Sequence, residues 1–338
     1  MSDVSIAGSA LRLGLAENGG IEAVVKQVVD AALASAGMNL DAVDTVVTVG
    51  TDILDGSMVA TRSGIAGAFG KSLVTVPSSA GHGIAAAVSL IESGQAETVL
   101  LAGWGEGSKF AGIDGRIIQA DPFYARPVVR EAAALAVLQA QRLFATGRLD
   151  PQAMAHYGGA MRARAGRGNG TSGGGGWLGT GWCDGAAALV LTAADGGGVV
   201  ISDFGSAFQP YCPEPEDLDP AAWVRDALMA MRDGNALPDT PLAVIEASAP
   251  TPFCEAIALA DILSQHGWSA DDPRVNPSGG GAVACFGPAT GLARLVAASE
   301  ALKKAPRTGR VGGLVVDLAG PIGQAATVIL LEAGSTLQ

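Results

Sequence analysis

The stretch RVNPSGGGAVACFGPATG, Arg274–Gly291, opens on an extended dipeptide, turns through Asn-Pro-Ser, passes three glycines and enters a small-residue run. That order reads as a strand end, a glycine-rich loop and a helix start. A second stretch has the same grammar: TVPSSAGHGIAAAV, Thr75–Val88. Each is followed by a continuous apolar run, TVLLAGW (Thr98–Trp104) after the one and LVVDLAG (Leu314–Gly320) after the other, of the kind found in sheets covered on both faces. A further echo pairs GAAALVLTAADG (Gly185–Gly196) with QAATVILLEAGS (Gln324–Ser335). The echoes come in the same order, about 200 and about 140 residues apart, and an insertion over about 105–181 accounts for the difference. Internal repetition takes precedence in assigning a fold. The expectation is an α/β chain of two similar halves, 1–197 and 198–338, each with a helix buried between sheets. No strand runs into G-x-G-x-x-G at a helix start, so a plain dinucleotide-binding fold is set aside.

Elements extend outward from these anchors. VSIAGSALRL, DTVVTVGTD and SLVTV read as strands in the first half, and VVISDFGSAF, PLAVIEAS and the two echoed runs in the second. Ile21, Val24, Val25, Val28, Val29 and Ala32 form one apolar stripe of a helix over Gly20–Ala36. MVATRSGIAGAF reads as a short helix, and longer ones are expected over Val128–Ala145, Pro151–Ala165, Ala221–Met231, Pro252–Gln265 and Pro288–Lys303. The segment Gly83–Ser93 is small and apolar all round, so it is expected to be buried all round.

Composition narrows the function classes. The 338 residues are 49% apolar and 16% charged, opposite to a disordered chain, and 48 are glycine, about double the usual share. A net charge of −12 argues against general binding to nucleic acid or to an anionic membrane. Arg162, Arg164 and Arg167 form a local basic cluster, read either as a solvated helix end or as a contact for an anionic cofactor. The cysteines Cys183, Cys212, Cys254 and Cys285 show no metal-ligand spacing, and no uninterrupted apolar run reaches 18 residues. A cytoplasmic, reduced protein without a metal site of its own is expected.

The motifs resemble those of the thiolase superfamily. VNPSGGGAVACFGPATG is similar to its C-terminal signature, in which Asn-Pro-Ser-Gly-Gly leads to Gly-His-Pro and then Ala-Ser/Thr-Gly. SGQAETVLLAGWGEGSK, DGAAALVLTAADG, GRLDPQAMAHYGGAMRARA and GPIGQAATVILLEAG resemble, in order, further segments of the branch linked to sterol carrier protein. The resemblance implies a thiolase fold, five-layered αβαβα from two duplicated halves, usually an obligate dimer. Its chemistry rests on an activated cysteine, a histidine that lowers that cysteine's pKa, and a second His/Cys pair.

Each slot holds something else here. The nucleophile slot falls on Ser78. Serine needs a general base, and His82 lies one helical turn on; otherwise Ser78 and Ser79 cap the helix. The first histidine slot, after PLAVIEAS, reads EASAPTPF, where Glu246 or Ser248 could project. The second falls on Cys285, with Phe286 as rival: a reactive thiol or a small core residue. The second cysteine slot falls on Asp317, either a base raised by burial or a carboxylate paired with a backbone N–H. Asn276 is kept from the signature, as ligand or as loop holder.

Three readings follow. The first is a non-catalytic thiolase-like subunit of an acyl-CoA or acyl-carrier acyltransferase complex, paired with a second copy or a catalytic paralogue, and recruiting an OB-fold, zinc-ribbon protein. The second is a divergent acyltransferase, or a retro-aldolase acting on acyl-CoA thioesters, using Ser78, His82, Cys285 and Asp317, or Tyr124, Tyr157 or Tyr211. The third is an acyl-CoA binding module in which Asn276, Arg162, Arg164, Arg167 and the loop GNGTSGGGGWLGTGW hold the ligand.

Overall fold

The computed structural model describes residues 4–14, 20–50, 70–77, 79–110, 127, 132–165, 180–193, 198–209, 219–231, 240–305, 309–320 and 322–333. The first half carries β1 (Val4–Leu13), α1 (Ile21–Ser35), β2 (Thr45–Val49), β3 (Ser72–Val76), α2 (Ala80–Glu92) and β4 (Thr98–Glu106), followed by a short helical turn, Gly107–Phe110. Next come α3 (Ala132–Ala145), α4 (Pro151–Ala165) and β5 (Asp184–Ala193). The second half carries β6 (Val199–Phe208), α5 (Pro220–Met229), β7 (Leu242–Ser248), α6 (Pro252–His266), α7 (Thr290–Lys304), β8 (Val311–Ala319) and β9 (Ala325–Ala333). The expected helix over 58–69 and residues 128–131 of another lie outside the described residues.

The strands form one nine-stranded sheet in the order β3-β2-β4-β5-β1-β6-β9-β8-β7. Its two parts meet at β1 and β6 through only two pairs, Val4 with Ile201 and Ser5 with Val200. On either side of that seam the pattern repeats. β1 runs antiparallel to β5 and β6 antiparallel to β9. The first ladder breaks register between Ile6 and Gly8, the second between Ile201 and Asp203. The two interruptions stand 195 residues apart (201 − 6 and 203 − 8), so the duplication seen in the sequence extends to the placing of a β-bulge.

Side-chain alternation explains the layers. Along a strand, successive residues face opposite sides. In β4, Val99 and Leu101 enter a central core while Leu100, Ala102 and Trp104 enter an outer one beneath α1. In β8, Val315 faces the same central core, and Leu314, Val316 and Leu318 face a second outer core with α5 and α6. The central core is filled by α2 and α7. Three cores separated by two sheet layers give the order helix, sheet, helix, sheet, helix: the thiolase fold. Strands apolar on both faces need cover on both faces, which is why the runs read as unbroken.

Two expectations are corrected. The helix α2 begins at Ala80 rather than Gly83, because the Ser79 side chain accepts a hydrogen bond from His82 N at 3.1 Å and starts it there. It is not buried all round. Ser89 is exposed and Ala85, Ala86 and Leu90 are half-buried, since α2 lies at the flank of the central layer and α7 covers only one side.

The two ends of the sheet differ. β3 is a five-residue strand pairing with β2, and its Leu73 is 42% exposed. At the other end, Val275 makes only a single bridge to Ile245 of β7. The chain then turns at Asn276, whose φ of 43° is left-handed. Its side-chain Oδ1 accepts from Ala247 N at 2.6 Å, supplying the bond that a next strand residue would have made.

Candidate functional site

The first turns of α2 and α7, the two central helices, converge on one side chain, Asp317 of β8. Asp317 is 4% exposed. Its Oδ2 accepts from Gly81 N at 2.8 Å, in the first turn of α2. Ser248, its register partner in β7, and Ser79, the N-cap of α2, also donate their hydroxyls to it. A helix start presents unpaired N–H groups and the positive end of the dipole, so a carboxylate is stabilised there. Burial nonetheless outweighs these bonds and pushes the Asp317 carboxyl up to about 6. On its other side stands Gly291 in the first turn of α7. Any side chain at 291 would collide with the Asp317 carboxylate and the Ala80 methyl, so glycine is what lets the two helices approach.

Cys285 also meets that turn, through Thr290, and is 6% exposed. Its backbone is fixed by Cys285 N to Gly181 O (2.8 Å) and by Cys183 N to Cys285 O (3.0 Å). Thr290 locks the approach to α7: its Oγ1 accepts from Phe286 N (2.9 Å), donates to Gly287 O (2.7 Å) and lies 3.7 Å from Cys285 Sγ. Phe286, the rival for this slot, is fully buried. Burial is the main cause that pushes the neighbouring Cys183 thiol up to about 11, which keeps it protonated.

His82 takes a different direction. Its ring lies 5.0 Å from that of Phe208, at the outer end of β6, tilted by 36°. Burial lowers its pKa, favouring the neutral ring. Ser78 lies outside the described residues, as do Arg167, Tyr124 and Tyr211.

Asn276 and Arg164 are engaged in holding the loop. Asn276 is fully buried; besides Ala247 it donates through Nδ2 to Tyr157 Oη at 2.7 Å. Arg164 donates to three carbonyls, Val275 O (2.5 Å), Ala270 O (2.8 Å) and Asp272 O (2.9 Å), so its guanidinium braces the segment before the signature. Arg162 is exposed in the last turn of α4. Among the described residues no cluster of His, Cys, Asp or Glu is arranged to hold a metal ion, and no helix is long and apolar enough to cross a membrane.

The sequence reading missed two charged residues beneath this loop, Glu255 and Arg294, both essentially sealed from solvent. A signal for each was present: a lone arginine on the apolar stripe Leu292, Leu295, Val296, and a glutamate one turn into the apolar helix α6. Ser79, assigned a capping role alone, also reaches Asp317.

No family model matches the sequence, and no curated protein matches it. Solved structures do. A monomeric SCP2-thiolase-like protein type 1 from Mycobacterium smegmatis superposes over 97% of this chain and 76% of its own, with TM-score 0.68 and 17% identity. The acetyl-CoA acetyltransferase of Bacillus anthracis matches over 98% and 99%, with TM-score 0.74 and 15% identity. The Acat5 thiolase of Ascaris suum, solved in complex with coenzyme A, matches over 98% and 100%, with TM-score 0.70 and 15% identity. At these identities the likeness establishes the architecture.

Proposed function

From a chain with the thiolase fold whose α2 start is closed by its own carboxylate, we propose a degenerate, non-catalytic thiolase-like subunit of an acyl-CoA or acyl-carrier acyltransferase complex. The observation that carries it is Asp317 on Gly81 N–H. In acyl transfer at a helix start, those N–H groups favour the anionic nucleophile or the oxyanion that develops from the substrate. Here a buried carboxylate held by Ser79, Gly81 and Ser248 already takes that place. A substrate anion would have to displace it against like charge. The serine in the nucleophile slot supports the same conclusion, since a hydroxyl, unlike a thiolate, is inert until a base activates it.

The scaffold itself is kept: two halves, 1–197 and 198–338, with the exposed β3 edge and the half-open side of α2 available to a partner. That partner is a second copy or a catalytic thiolase-fold paralogue, with an OB-fold, zinc-ribbon protein as a further recruit. Acyl-CoA is the ligand class, supported by the Ascaris suum neighbour that was solved with coenzyme A. The setting is cytoplasmic, consistent with the free thiols of Cys183, Cys254 and Cys285.

A second function is favoured by one observation: an Asp317 carboxyl near 6 touching two serine hydroxyls is a candidate base. Under it, Ser78, His82, Cys285 and Asp317 would carry a divergent acyl transfer or retro-aldol cleavage. Incubation with acetyl-CoA followed by intact-mass and peptide analysis separates the two. The non-catalytic function expects no adduct and no free CoA. An acetyl adduct at Ser78 or Cys285, or steady CoA release by a homodimer, overturns it.

A further inference from the structure

The loop Asn276–Cys285 rests on a sealed cluster of charges. Glu246 of β7 and Glu255 of α6 are fully buried, and Arg294 of α7 is 2% exposed. Each grips the loop. Glu246 accepts from Ser278 N at 2.9 Å and from Ser278 Oγ at 2.6 Å. Glu255 accepts from Gly281 N at 2.7 Å. Arg294 donates to Ser278 Oγ at 2.8 Å and to Ala284 O at 2.6 Å. Five bonds from three elements therefore fix a loop whose own sequence, Ser-Gly-Gly-Gly, has little stiffness.

The charges do not balance. Two carboxylates face one guanidinium, and an uncompensated buried charge is expensive. Burial raises both carboxyls and so favours a proton on the pair, against Arg294 and, at Glu246, the lesser influence of Arg164. Glu246 has the closer set of donors, since Ser278 and its hydroxyl, polarised by Arg294, face it directly. Glu255 has Gly281 N–H and, at 3.4 Å, the Tyr157 hydroxyl, which already accepts from Asn276. Burial is the largest influence on Glu255 and pushes it up to about 8, with Glu246 adding to the rise and Arg294, Gly281 and Tyr157 opposing it.

We propose that Glu246, Arg294 and Glu255 form a proton-operated latch on loop 276–285: with Glu255 protonated the loop is closed, and loss of that proton releases the loop and uncovers Cys285 at the start of α7. The proton leaves to solvent base. The carboxylate left behind repels Glu246 and shares Arg294 with it. Tyr157 of α4 is held well above its ordinary range, chiefly by burial. Arg164 of α4 is bonded to three carbonyls and keeps its charge, which favours the ionised form of Glu246 to a lesser degree than Arg294 does. Asp317 of β8 and Cys183 of β5 share the field of Arg294 without adding positive charge. The latch stands whether or not the chain turns over a substrate, because its readout is loop opening.

The test is the alkylation rate of Cys285 by iodoacetamide in the full-length chain, measured by peptide mass spectrometry at pH 7 and pH 9. Each rate is divided by that of glutathione at the same pH, which removes the reagent's ordinary dependence on thiolate. The normalised rate in the unaltered protein should rise roughly tenfold, since the ionised fraction of a group titrating near 8 grows from about 9% at pH 7 to about 91% at pH 9. Glu255→Gln, neutral at every pH, should hold it constant within about twofold by the same relation. Glu246→Gln, which leaves one carboxylate for one arginine, should also flatten it. If either variant is unfolded, hydrogen exchange of peptides spanning 276–285 in the unaltered protein, corrected for intrinsic rates, reads the same opening. A flat profile in the unaltered protein, or an equal rise in folded Glu255→Gln, overturns the latch.

Discussion

Replacing Glu255 by glutamine should flatten the dependence of the protein's stability on pH between about 6.5 and 8, leaving only what the likewise raised Glu246 contributes. The carboxyl titrates near 8 in the folded state against an ordinary value of 4.5. Between those values the folded chain keeps a proton that the unfolded chain sheds, so stability falls as pH rises and the loss is complete above the folded value. At about 1.4 kcal/mol per pH unit, the full window corresponds to about 3–5 kcal/mol, a large part of a domain's total stability. Asp317 acts in the same direction over a lower window, from 3.8 to about 6. Glutamine keeps the shape, accepts from Gly281 N–H and donates toward Tyr157, so Glu255→Gln should match the parent near pH 5.5. By pH 8.5 it should exceed the parent by about 3 kcal/mol or more. Urea unfolding at pH 5.5, 7.0 and 8.5, with the slope m checked for constancy, measures this. Parallel stability curves for parent and variant from pH 6.5 to 8.5 would refute the assignment of the proton to Glu255.

Arg294→Met leaves two buried carboxylates without their cation and should cost about 3–5 kcal/mol; adding Glu246→Gln should restore part of that, seen as non-additivity in a double-mutant cycle. Asp317→Ala removes the acceptor of Gly81 N–H and should lower stability by about 1–3 kcal/mol, measurable as a fall in Tm. Asn276→Ala loses the Ala247 and Tyr157 bonds and also places alanine at positive φ. It should therefore be less stable than Asn276→Gly, which loses only the bonds, and chemical denaturation compares the two. Leu73→Glu on the β3 edge should abolish pairing with a partner while leaving the far-ultraviolet spectrum unchanged, as judged by light scattering coupled to size exclusion.

The fold was legible because its signals are local and doubled. An apolar run such as Thr98–Trp104 announces a strand covered on both faces, and its echo at Leu314–Gly320 announces the second layer of the sheet. The site was legible only as slots. The family resemblance assigned Asp317 and Cys285 to two of the slots, and both lie against the first turn of α7, Asp317 at Gly291 and Cys285 at Thr290. It could not show that Asp317 turns back onto Gly81, a contact spanning 236 positions in the chain. Arg164 and Asn276 carry ligand-like chemistry, yet both bond chiefly to backbone or to a neighbouring ring hydroxyl, and nothing in a linear pattern distinguishes those uses. Buried charges were the hardest to see, because Glu255 and Arg294 sit in helices whose neighbours lead one to expect only apolar packing.

The unequal ends of the sheet bear on how many copies can associate. At β3 the outer row of backbone groups meets no further strand among the described residues. At β7 the middle of the matching row is occupied: Ile245 N–H bonds Arg274 O, Ile245 O receives Asn276 N–H, and the Asn276 amide takes Ala247 N–H. A sheet with two receptive ends can add copies without limit, whereas a sheet with one can join once and stop. Asn276 thus does at the β7 end what a neighbouring strand would do, and a further strand would have to displace it from Ile245 and Ala247.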